Sequence, residues 1–185
     1  MNGFDIRIAT ERDFPALSRL WAEVFGDDEA FTGGFFRSVW TPGCCVAAFA
    51  GSELAAMGYC LTGPTAKGLH CGYIYAMATA PEQRGRGLAA KIGRVLIANA
   101  FDGGIDIVAT LPAEDSLNAW YETRLGMAPL FKKGGAGVDF PENWRRFSEF
   151  CGEHDPTTPD TLLAVARPGI DTAPLRGLGW ECTFD

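Results

Sequence analysis

The sequence lacks the features that would place it in a membrane or on the secretory route. No apolar run reaches the ~18–20 residues that a membrane-spanning helix requires. Residues 1–5 contain no basic region followed by an apolar block, so no secretory signal is predicted and a cytoplasmic location is expected. Internal repeats and low-complexity tracts are also missing.

Paired cysteines are absent as well. Six cysteines are scattered along the chain without a single Cys-x-x-Cys pair, so reduced thiols are expected. The fragments closest to metal-ligand spacing are His70-Cys71 and the stretch from Cys151 to His154. Without paired spacing, small apolar core residues are the better interpretation of these cysteines, and no metal is predicted.

Positive charge is scarce. The chain has 16 Lys and Arg against 23 Asp and Glu, for a net charge of −7, which argues against binding to a nucleic-acid backbone. Residues 134–185 contain nine acidic residues against four arginines. Such an acidic segment favours a cationic partner, although a solvated surface needs no partner.

What the sequence does contain is enough for one folded domain over residues 1–185. Alternation predicts a strand at 4–9, and Thr10 with Asp13 forms a helix-start signal. The helix that follows has an apolar face and ends at Gly26. Further strands are predicted at 44–50, 54–61, 73–79, 105–111 and 127–133, and further helices at 29–39, 88–100, from Asp115 or Ser116 to Gly126, and at 140–151.

Two features of this pattern decide the fold class. Antiparallel hairpins, including a turn at Gly63-Pro64, precede a strand–turn–helix–strand crossover. The expected fold is therefore α/β (α+β), with a mixed, mostly antiparallel central sheet and helices on both faces. Either 162–166 or 180–184 supplies the closing strand, and the second is favoured.

The chemistry is concentrated in residues 80–90, between a buried strand and a helix. Gly85 and Gly87 let the backbone turn tightly and approach a ligand. The free N–H groups and the dipole of the helix start attract an anion, and Arg84 and Arg86 add positive charge. This combination predicts a pyrophosphate cradle.

The same turn has two other interpretations. A strand-to-helix turn can contain glycines for steric reasons alone, and exposed arginines are common on protein surfaces. Gly85-x-Gly87-x-x-Ala90, with Asp106 about twenty residues on, also fits the Rossmann dinucleotide fingerprint. Against that fingerprint, residues 80–84 separate the strand from the first glycine, Asp106 precedes the next strand, and the unit does not open the fold.

At this point the sequence resembles the GNAT superfamily of N-acetyltransferases. The superfamily's Arg/Gln-x-x-Gly-x-Gly/Ala signature is matched by residues 84–89, with Pro81 upstream. A later Tyr-Glu-x-x-x-Gly-Phe-like ending is matched by residues 121–127, with Met127 in place of Phe. The resemblance covers roughly 4–133, leaves 134–185 as a divergent segment on the acceptor side, and implies an acyl-CoA N-acyltransferase-like fold.

The resemblance implies that acetyl-CoA is the co-substrate. In many members of the superfamily an Asn near the start of the later helix forms a hydrogen bond with the pantetheine arm of the co-substrate. That position is Glu114 here, and Ser116 or Asn118 are the candidate substitutes. The implied cofactor-binding residues are Met77, Ala78 and Thr79 along the arm, and Arg84, Gly85, Arg86, Gly87, Leu88 and Ala89 at the pyrophosphate.

Tyr121 is the catalytic residue that the resemblance implies, as the general acid for the leaving thiolate; the alternative is that it only packs between Trp120 and Leu125. A tetrahedral intermediate would form by direct attack of the amine, and a strand N–H would stabilise its oxyanion. No general base is assigned, because residues 73–79 contain no carboxylate. The open candidates are Asp28, Glu29, His70, Asp139, Glu142, ordered water and loss of the proton assisted by the substrate itself.

The implied activity is transfer of an acetyl group to a primary amine, either a small molecule or a peptide. Acidic residues at 27–29, together with aromatic side chains, would suit a cation with an apolar body, although a packed core explains the aromatic residues equally well. These aromatic residues are Phe35, Phe36, Phe140, Trp144 and Phe147.

A homodimer is compatible with the family. The alternative function, from a different class, is a catalytically silent CoA-binding sensor or interaction module.

Overall fold

The computed structural model describes residues 3–152 and 155–185. Within these ranges the chain forms five helices and eight strands, and the strands make a mixed, mostly antiparallel sheet, which confirms the predicted fold class. The strands are β1 (Asp5–Ile8), β2 (Cys45–Ala50), β3 (Glu53–Ala66), β4 (Leu69–Thr79), β5 (Ile107–Thr110), β6 (Ala128–Lys133), β7 (Thr161–Ala166) and β8 (Gly179–Trp180). The helices are α1 (Phe14–Phe25), α2 (Glu29–Ser38), α3 (Leu88–Asp102), α4 (Asn118–Leu125) and α5 (Glu142–Cys151).

The chain divides into two compact units. Unit 1 contains the described residues of Met1–Leu61 and Ile74–Ala98, and unit 2 those of Thr62–Tyr73 and Asn99–Asp185. The boundary therefore falls within β3, β4 and α3. That the chain acts as one domain stays a prediction.

Unit 1 contains the ladder β1-β2-β3, which continues to the second half of β4. β1 and β3 both run antiparallel to β2. The helix start predicted at Thr10 is present as a capping box, in which the Thr10 N–H donates to the Asp13 carboxylate at 2.8 Å. α1 ends where Gly26 adopts a φ of +80°, as predicted, and buries Leu17 and Trp21.

Unit 2 contains the first half of β4 followed by β5, β7, β6 and β8. β7 runs antiparallel to both β5 and β6, whereas β8 has two residues and runs parallel to β6. The favoured closing strand at 180–184 is therefore wrong, and 161–166 supplies it. The backbone after Trp180 does not continue as a regular strand. The Trp180 indole donates to the Cys182 carbonyl at 3.0 Å, and Phe184 has a φ of +61°, which is outside the strand conformation.

The predicted turn at Gly63-Pro64 is also wrong, because β3 continues to Ala66 and the chain turns at Lys67 and Gly68, whose φ values are +51° and +81°. Gly63 remains within the strand at a φ of +135°, which only glycine adopts easily. A long-range bridge holds the extension in place: the Thr65 N–H donates to the Asp139 carbonyl at 2.9 Å, and the Asp139 N–H donates back at 2.8 Å.

Aromatic side chains form the core of unit 2. Trp144 and Trp180 are 0% exposed and Phe147 is 1% exposed. The Tyr73 ring lies 5.5 Å from Trp180, and its hydroxyl donates to the Thr183 carbonyl at 2.7 Å. Packing, and not a surface for an acceptor, therefore explains the aromatic residues of 140–147.

The six cysteines are free thiols, and five of them are buried. Burial raises the pKa of Cys44 to about 11 and that of Cys71 to about 12, so both thiols are inert at neutral pH. Among residues 3–152 and 155–185 no three His, Cys, Asp or Glu side chains gather to hold a metal ion. The fragment ending at His154 extends outside the described residues.

None of the helices in the described part of the chain has both the length and the apolar character required to cross a bilayer.

Candidate functional site

A short exposed turn joins the end of β4 to the start of α3. The residue after β4 is bonded to the sheet, since the Ala80 N–H donates to the Ala55 carbonyl of β3 at 2.9 Å. A single 3₁₀ turn at Pro81–Gln83 follows, and the Arg84 guanidinium donates back to the Thr79 carbonyl at 3.4 Å. The turn is therefore held at its base and open at its tip.

The two glycines of this turn have left-handed backbones. Gly85 has a φ of +76° and Gly87 a φ of +73°. A Cβ atom placed on either glycine would meet nothing within 4 Å. Backbone conformation and not crowding therefore demands glycine here, and the space beside both residues is free for a ligand.

Helix α3 begins directly after Gly87 and runs for 15 residues. Its first turn is closed by the Lys91 N–H, which donates to the Gly87 carbonyl at 3.2 Å. The earlier N–H groups of any α-helix have no partner within the helix, and here they lie beside an exposed turn. Together with the helix dipole they form a site for an anion.

Two arginines surround this helix start. Arg84 and Arg86 are both exposed. The Arg86 guanidinium lies 5.9 Å from the centroid of the Phe4 ring, within the range of a cation–π contact. Cations at the positive end of a helix destabilise it unless an anion binds, and the arrangement therefore fits a phosphate group.

β4 changes conformation just before the proposed arm-binding residues. Ala76 has a φ of +48°, which is unusual for a residue with a Cβ atom. Such a residue breaks the regular alternation of the strand and redirects the main chain that follows. Met77 and Thr79 are half-buried, whereas Ala78 is 3% exposed.

Two buried side-chain amide oxygens have no hydrogen-bond partner among residues 3–152 and 155–185. One belongs to Gln83, in the turn of unit 1, and the other to Asn118, at the start of α4 in unit 2. A buried polar atom without a partner costs about 1–3 kcal/mol, so each oxygen is suited to accept a hydrogen bond from a ligand. Of the two substitutes named above, Asn118 fits a ligand contact, whereas the Ser116 hydroxyl donates to the Glu114 carboxylate at 2.6 Å.

Tyr121 is buried in unit 2. Its side chain is 9% exposed and lies edge-on to Trp120, with the ring centroids 5.0 Å apart. Burial raises the pKa of its hydroxyl, and a hydrogen bond with Thr110 offsets part of that rise. The phenol is thus neutral at physiological pH, which is the state that a general acid requires.

The start of α4 differs from the prediction. No side-chain cap hydrogen bond is formed by Leu117, the residue before the helix, and a 3₁₀ turn at Asp115–Leu117 leads into it. Capping by Asp115 or Ser116 is therefore wrong. Gly126 ends α4 at a φ of +67°, as predicted.

The candidate bases have other contacts or lie exposed. Asp28 caps α2 by accepting a hydrogen bond from the Phe31 N–H at 2.9 Å. Glu142 pairs with Arg146 at 3.0 Å on the surface of α5. The remaining candidates, Glu29, His70 and Asp139, are exposed.

Asp106 has a structural role that opposes the Rossmann interpretation. Its carboxylate forms an ion pair with Arg167 and accepts a hydrogen bond from the His70 N–H at 2.9 Å. An acid engaged in this way is not available to hold a ribose.

The site residues fall into two groups. Unit 1 brings together Met77, Ala78 and Thr79 with the turn and helix start at 84–89, while Tyr121 and Asn118 lie on one helix of unit 2. Sequence reasoning missed Ala76 and Gln83. Alanine has no preference for a left-handed φ, and the burial of the Gln83 oxygen is a tertiary property, so neither had a local signal.

Known proteins resemble the chain in sequence and in fold. The family described as acetyltransferase (GNAT) domain matches residues 5–123. A GNAT family N-acetyltransferase from Escherichia coli, in complex with CoA, is 16% identical with a TM-score of 0.67, covering 98% of this chain and 89% of that one. No curated protein matches this sequence.

Two further structures show the same fold over part of their length. A GCN5-related N-acetyltransferase from Kribbella flavida is 21% identical with a TM-score of 0.57, over 68% of this chain and 34% of that one. N-acetylglutamate synthase from Neisseria gonorrhoeae, complexed with coenzyme A and N-acetyl-glutamate, is 17% identical with a TM-score of 0.57, over 88% and 35%. The chain thus spans about a third of those two proteins.

Proposed function

This chain belongs to the GNAT acetyltransferase family, and from that premise we propose that it transfers the acetyl group of acetyl-CoA to a primary amine. The observation that carries the proposal is the open start of α3, where two left-handed glycines and two exposed arginines face the free helix amides. Relatives of the same fold that contain CoA support the choice of co-substrate.

The chain's residues then have separate tasks. The main-chain amides of 84–89 and the guanidinium groups of Arg84 and Arg86 bind the pyrophosphate. The main chain of Met77, Ala78 and Thr79 pairs with the pantetheine arm in the manner of an added strand. In unit 2, the side-chain amide oxygen of Asn118 is buried without a partner among the described residues and is our candidate acceptor for a hydrogen bond from CoA.

The reacting groups are assigned from the family's pattern. A strand N–H at Met77 or Ala78 stabilises the negative oxygen that forms when the amine attacks the thioester. As the C–S bond breaks, Tyr121 donates its proton to the departing thiolate, which requires the neutral phenol that its buried position favours. The nitrogen that has attacked loses a proton to water or to the resulting phenolate, so the products are a neutral amide and a thiol. The acceptor is a small-molecule or peptide amine, and the acidic residues of 134–185 favour a cationic one.

The proposal is tested by thiol release from acetyl-CoA across a panel of primary amines, together with calorimetric titration of CoA. We expect saturable CoA binding and thiol release that depends on the amine. Absence of any CoA binding would overturn the proposal. Tight binding without turnover on any amine would favour the alternative, a CoA-binding sensor, for which the absence of a carboxylate in residues 73–79 is the motivation.

The role of Tyr121 has its own test. Tyr121→Phe should lower kcat by about 100-fold or more with little change in CoA affinity, because only the proton donor is lost. Tyr73→Phe is the matched control, since it removes another buried tyrosine hydroxyl that bonds the Thr183 carbonyl at 2.7 Å. Equal rates for the wild type and Tyr121→Phe would eliminate the acid role.

A further inference from the structure

A buried hydroxyl group lies at the end of β5. Thr110 is the last residue of the strand and is 2% exposed. The residues before it, Ile107, Val108 and Ala109, are apolar and fully buried. Valine has almost the same shape as threonine and would suit such surroundings without a polar atom. A buried hydroxyl group costs free energy unless it forms a hydrogen bond, so a specific partner is expected for it.

The partner is the phenol of Tyr121. β5 pairs with β7, where Thr110 lies opposite Leu163, and α4 packs against β7. The fold of unit 2 thus brings the end of β5 and the inner face of α4 together. The side chains of Thr110 and Tyr121 form a hydrogen bond, and Tyr121 is 9% exposed. The two hydroxyl groups therefore meet where little water reaches them.

The hydrogen bond changes character when the phenol loses its proton. A neutral phenol can donate to the threonine oxygen or accept from the threonine hydroxyl group. A phenolate has no hydrogen left, so it can only accept, and Thr110 must then be the donor. Because hydrogen bonds to a charged oxygen are roughly twice as strong as those between neutral groups, the bond strengthens as Tyr121 gives up its proton. An interaction that strengthens along the reaction coordinate accelerates the step.

The two influences on the pKa of Tyr121 agree with such a role. Burial raises the pKa of the phenol, and the hydrogen bond with Thr110 lowers it. An ordinary phenol has a pKa of about 10 and a thiol one of about 8.5, so transfer of the proton to a thiolate is uphill even before burial is added. Thr110 reduces that difference, which is the direction that proton transfer requires.

We propose that Thr110 is a positioning residue of the transfer reaction, which donates a hydrogen bond to the Tyr121 oxygen and stabilises the phenolate that forms there. As the C–S bond breaks, its electron pair goes to sulfur, and the phenol proton follows to give the free thiol. Thr110 holds the phenolate until it regains a proton from the nitrogen that attacked, directly or through water. The inference rests on the proposed function, and Thr110 lies outside both segments that carry the family resemblance, 84–89 and 121–127.

Substitutions at position 110 separate the hydroxyl group from the shape of the side chain. Thr110→Val keeps the shape and removes the donor, whereas Thr110→Ser keeps the donor and removes a methyl group. Thr183→Val is the matched control. Thr183 is 1% exposed and also belongs to unit 2, but its hydroxyl group donates to the Asp185 carboxylate. If Thr110 had only a structural role, its substitution would lower stability with no more effect on turnover than the control.

The experiment measures thiol release from acetyl-CoA, with the panel amine that gives the highest rate in the wild type. We expect Thr110→Val to lower kcat about tenfold with little change in the KM for acetyl-CoA, because a hydrogen bond to a charged oxygen is lost. Thr110→Ser should restore most of the rate, and Thr183→Val should keep the wild-type kcat. A loss in Thr110→Ser as large as that in Thr110→Val would contradict the inference, since the serine still has the donor.

A double-mutant cycle tests whether Thr110 acts through Tyr121. In the Tyr121→Phe background no phenol oxygen remains, so Thr110→Val should cause no further loss of kcat. Independent losses that multiply would reject the inference and leave the acid role of Tyr121 intact. A wild-type rate in Tyr121→Phe would reject both roles. No thiol release by the wild type with any amine would instead reject the proposed function.

Urea denaturation establishes whether each variant is folded. Should Thr110→Val not fold, Thr110→Ala is compared with Thr110→Ser, since these two side chains differ only in the hydroxyl group. The serine variant should then be about tenfold faster, and equal rates would overturn the inference.

Discussion

The two helices α1 and α3 of unit 1 begin in opposite ways. The start of α1 is preceded by a 3₁₀ turn at Glu11–Asp13 that side chains hold closed: Asp13 receives the Thr10 N–H at 2.8 Å and pairs with Arg7 at 2.8 Å. At α3 two glycines leave the first amides uncovered, and the exposed Arg84 and Arg86 lie beside them. A helix start that is closed by side chains contributes to stability. An open start with cations beside it lowers stability until an anion binds.

The largest effect is expected from closing the open start sterically. A β-branched residue at position 87 is strained by about 1–3 kcal/mol at the left-handed φ of +73°, so Gly87→Val should shift the turn and weaken CoA binding by about 100-fold. Calorimetric titration measures the affinity, and urea denaturation should show that the fold persists.

Gly68→Val is the control for that strain. Gly68 has a φ of +81° and open space beside it, but it lies in the turn between β3 and β4. It should lose a similar amount of stability and retain CoA affinity. If the two variants bind CoA equally well, the turn at 84–89 is not the cradle.

A smaller effect should follow from reversing one charge at the open start. Arg86→Glu places a favourable charge at the positive end of α3, so the free energy of unfolding without ligand should rise by about 0.3–1 kcal/mol. CoA affinity should fall by about tenfold or more. Denaturation should thus show a gain in stability, and titration should show a loss of CoA affinity. This combination is expected of an anion-binding site.

The control for net charge is Arg19→Glu, at an exposed position on α1. The same change of charge there should leave CoA affinity close to that of the wild type. A loss equal to that of Arg86→Glu would mean that long-range charge, and not the helix start, governs binding.

The smallest effect is expected at the closed start. Hydrogen bonding from Arg7, with a further bond from the Thr10 N–H, lowers the pKa of Asp13 from 3.8 to about 2. A lowered pKa in the folded state gives stability that is present above the unfolded value and is lost as pH falls toward the folded value. Since Arg7 is partly exposed, we expect about 1 kcal/mol.

Denaturation of the wild type and Asp13→Asn as a function of pH checks this expectation. The wild type should be more stable near neutral pH, and the difference should shrink below pH 3.8 and vanish as pH falls below about 2. Glu11→Gln, an exposed acid in the same turn, is the control and should show no such window. CoA affinity should not change in either variant.

The sequence predicted those parts of the fold that depend on local patterns. The apolar period of α1, its capping box at Thr10 and its end at Gly26 are all set by neighbouring residues. The path of β3 through Gly63 and Pro64 was not predictable in this way, because it depends on a bridge between Thr65 and the distant Asp139.

The candidate site divides in the same manner. The turn at 84–89 carries a local signature, since glycine alone tolerates its φ values. The left-handed Ala76 has no such signature, and the hydrogen bond between Thr110 and Tyr121 forms only because folding brings β5 and α4 together. Pairing distant side chains requires the folded structure.

Gly58 of β3 makes room for residues of the candidate site, although it lies outside the turn at 84–89. A Cβ atom at this position would lie 2.2 Å from the Met77 sulfur and 3.1 Å from the Ile92 side chain, so the absence of a side chain makes room for both. A larger residue at position 58 must displace the Met77 thioether, and Met77 belongs to the segment proposed to receive the pantetheine arm. A side chain at position 58 would therefore move Met77 and change the geometry of this segment, although Gly58 is not among the residues proposed to bind CoA.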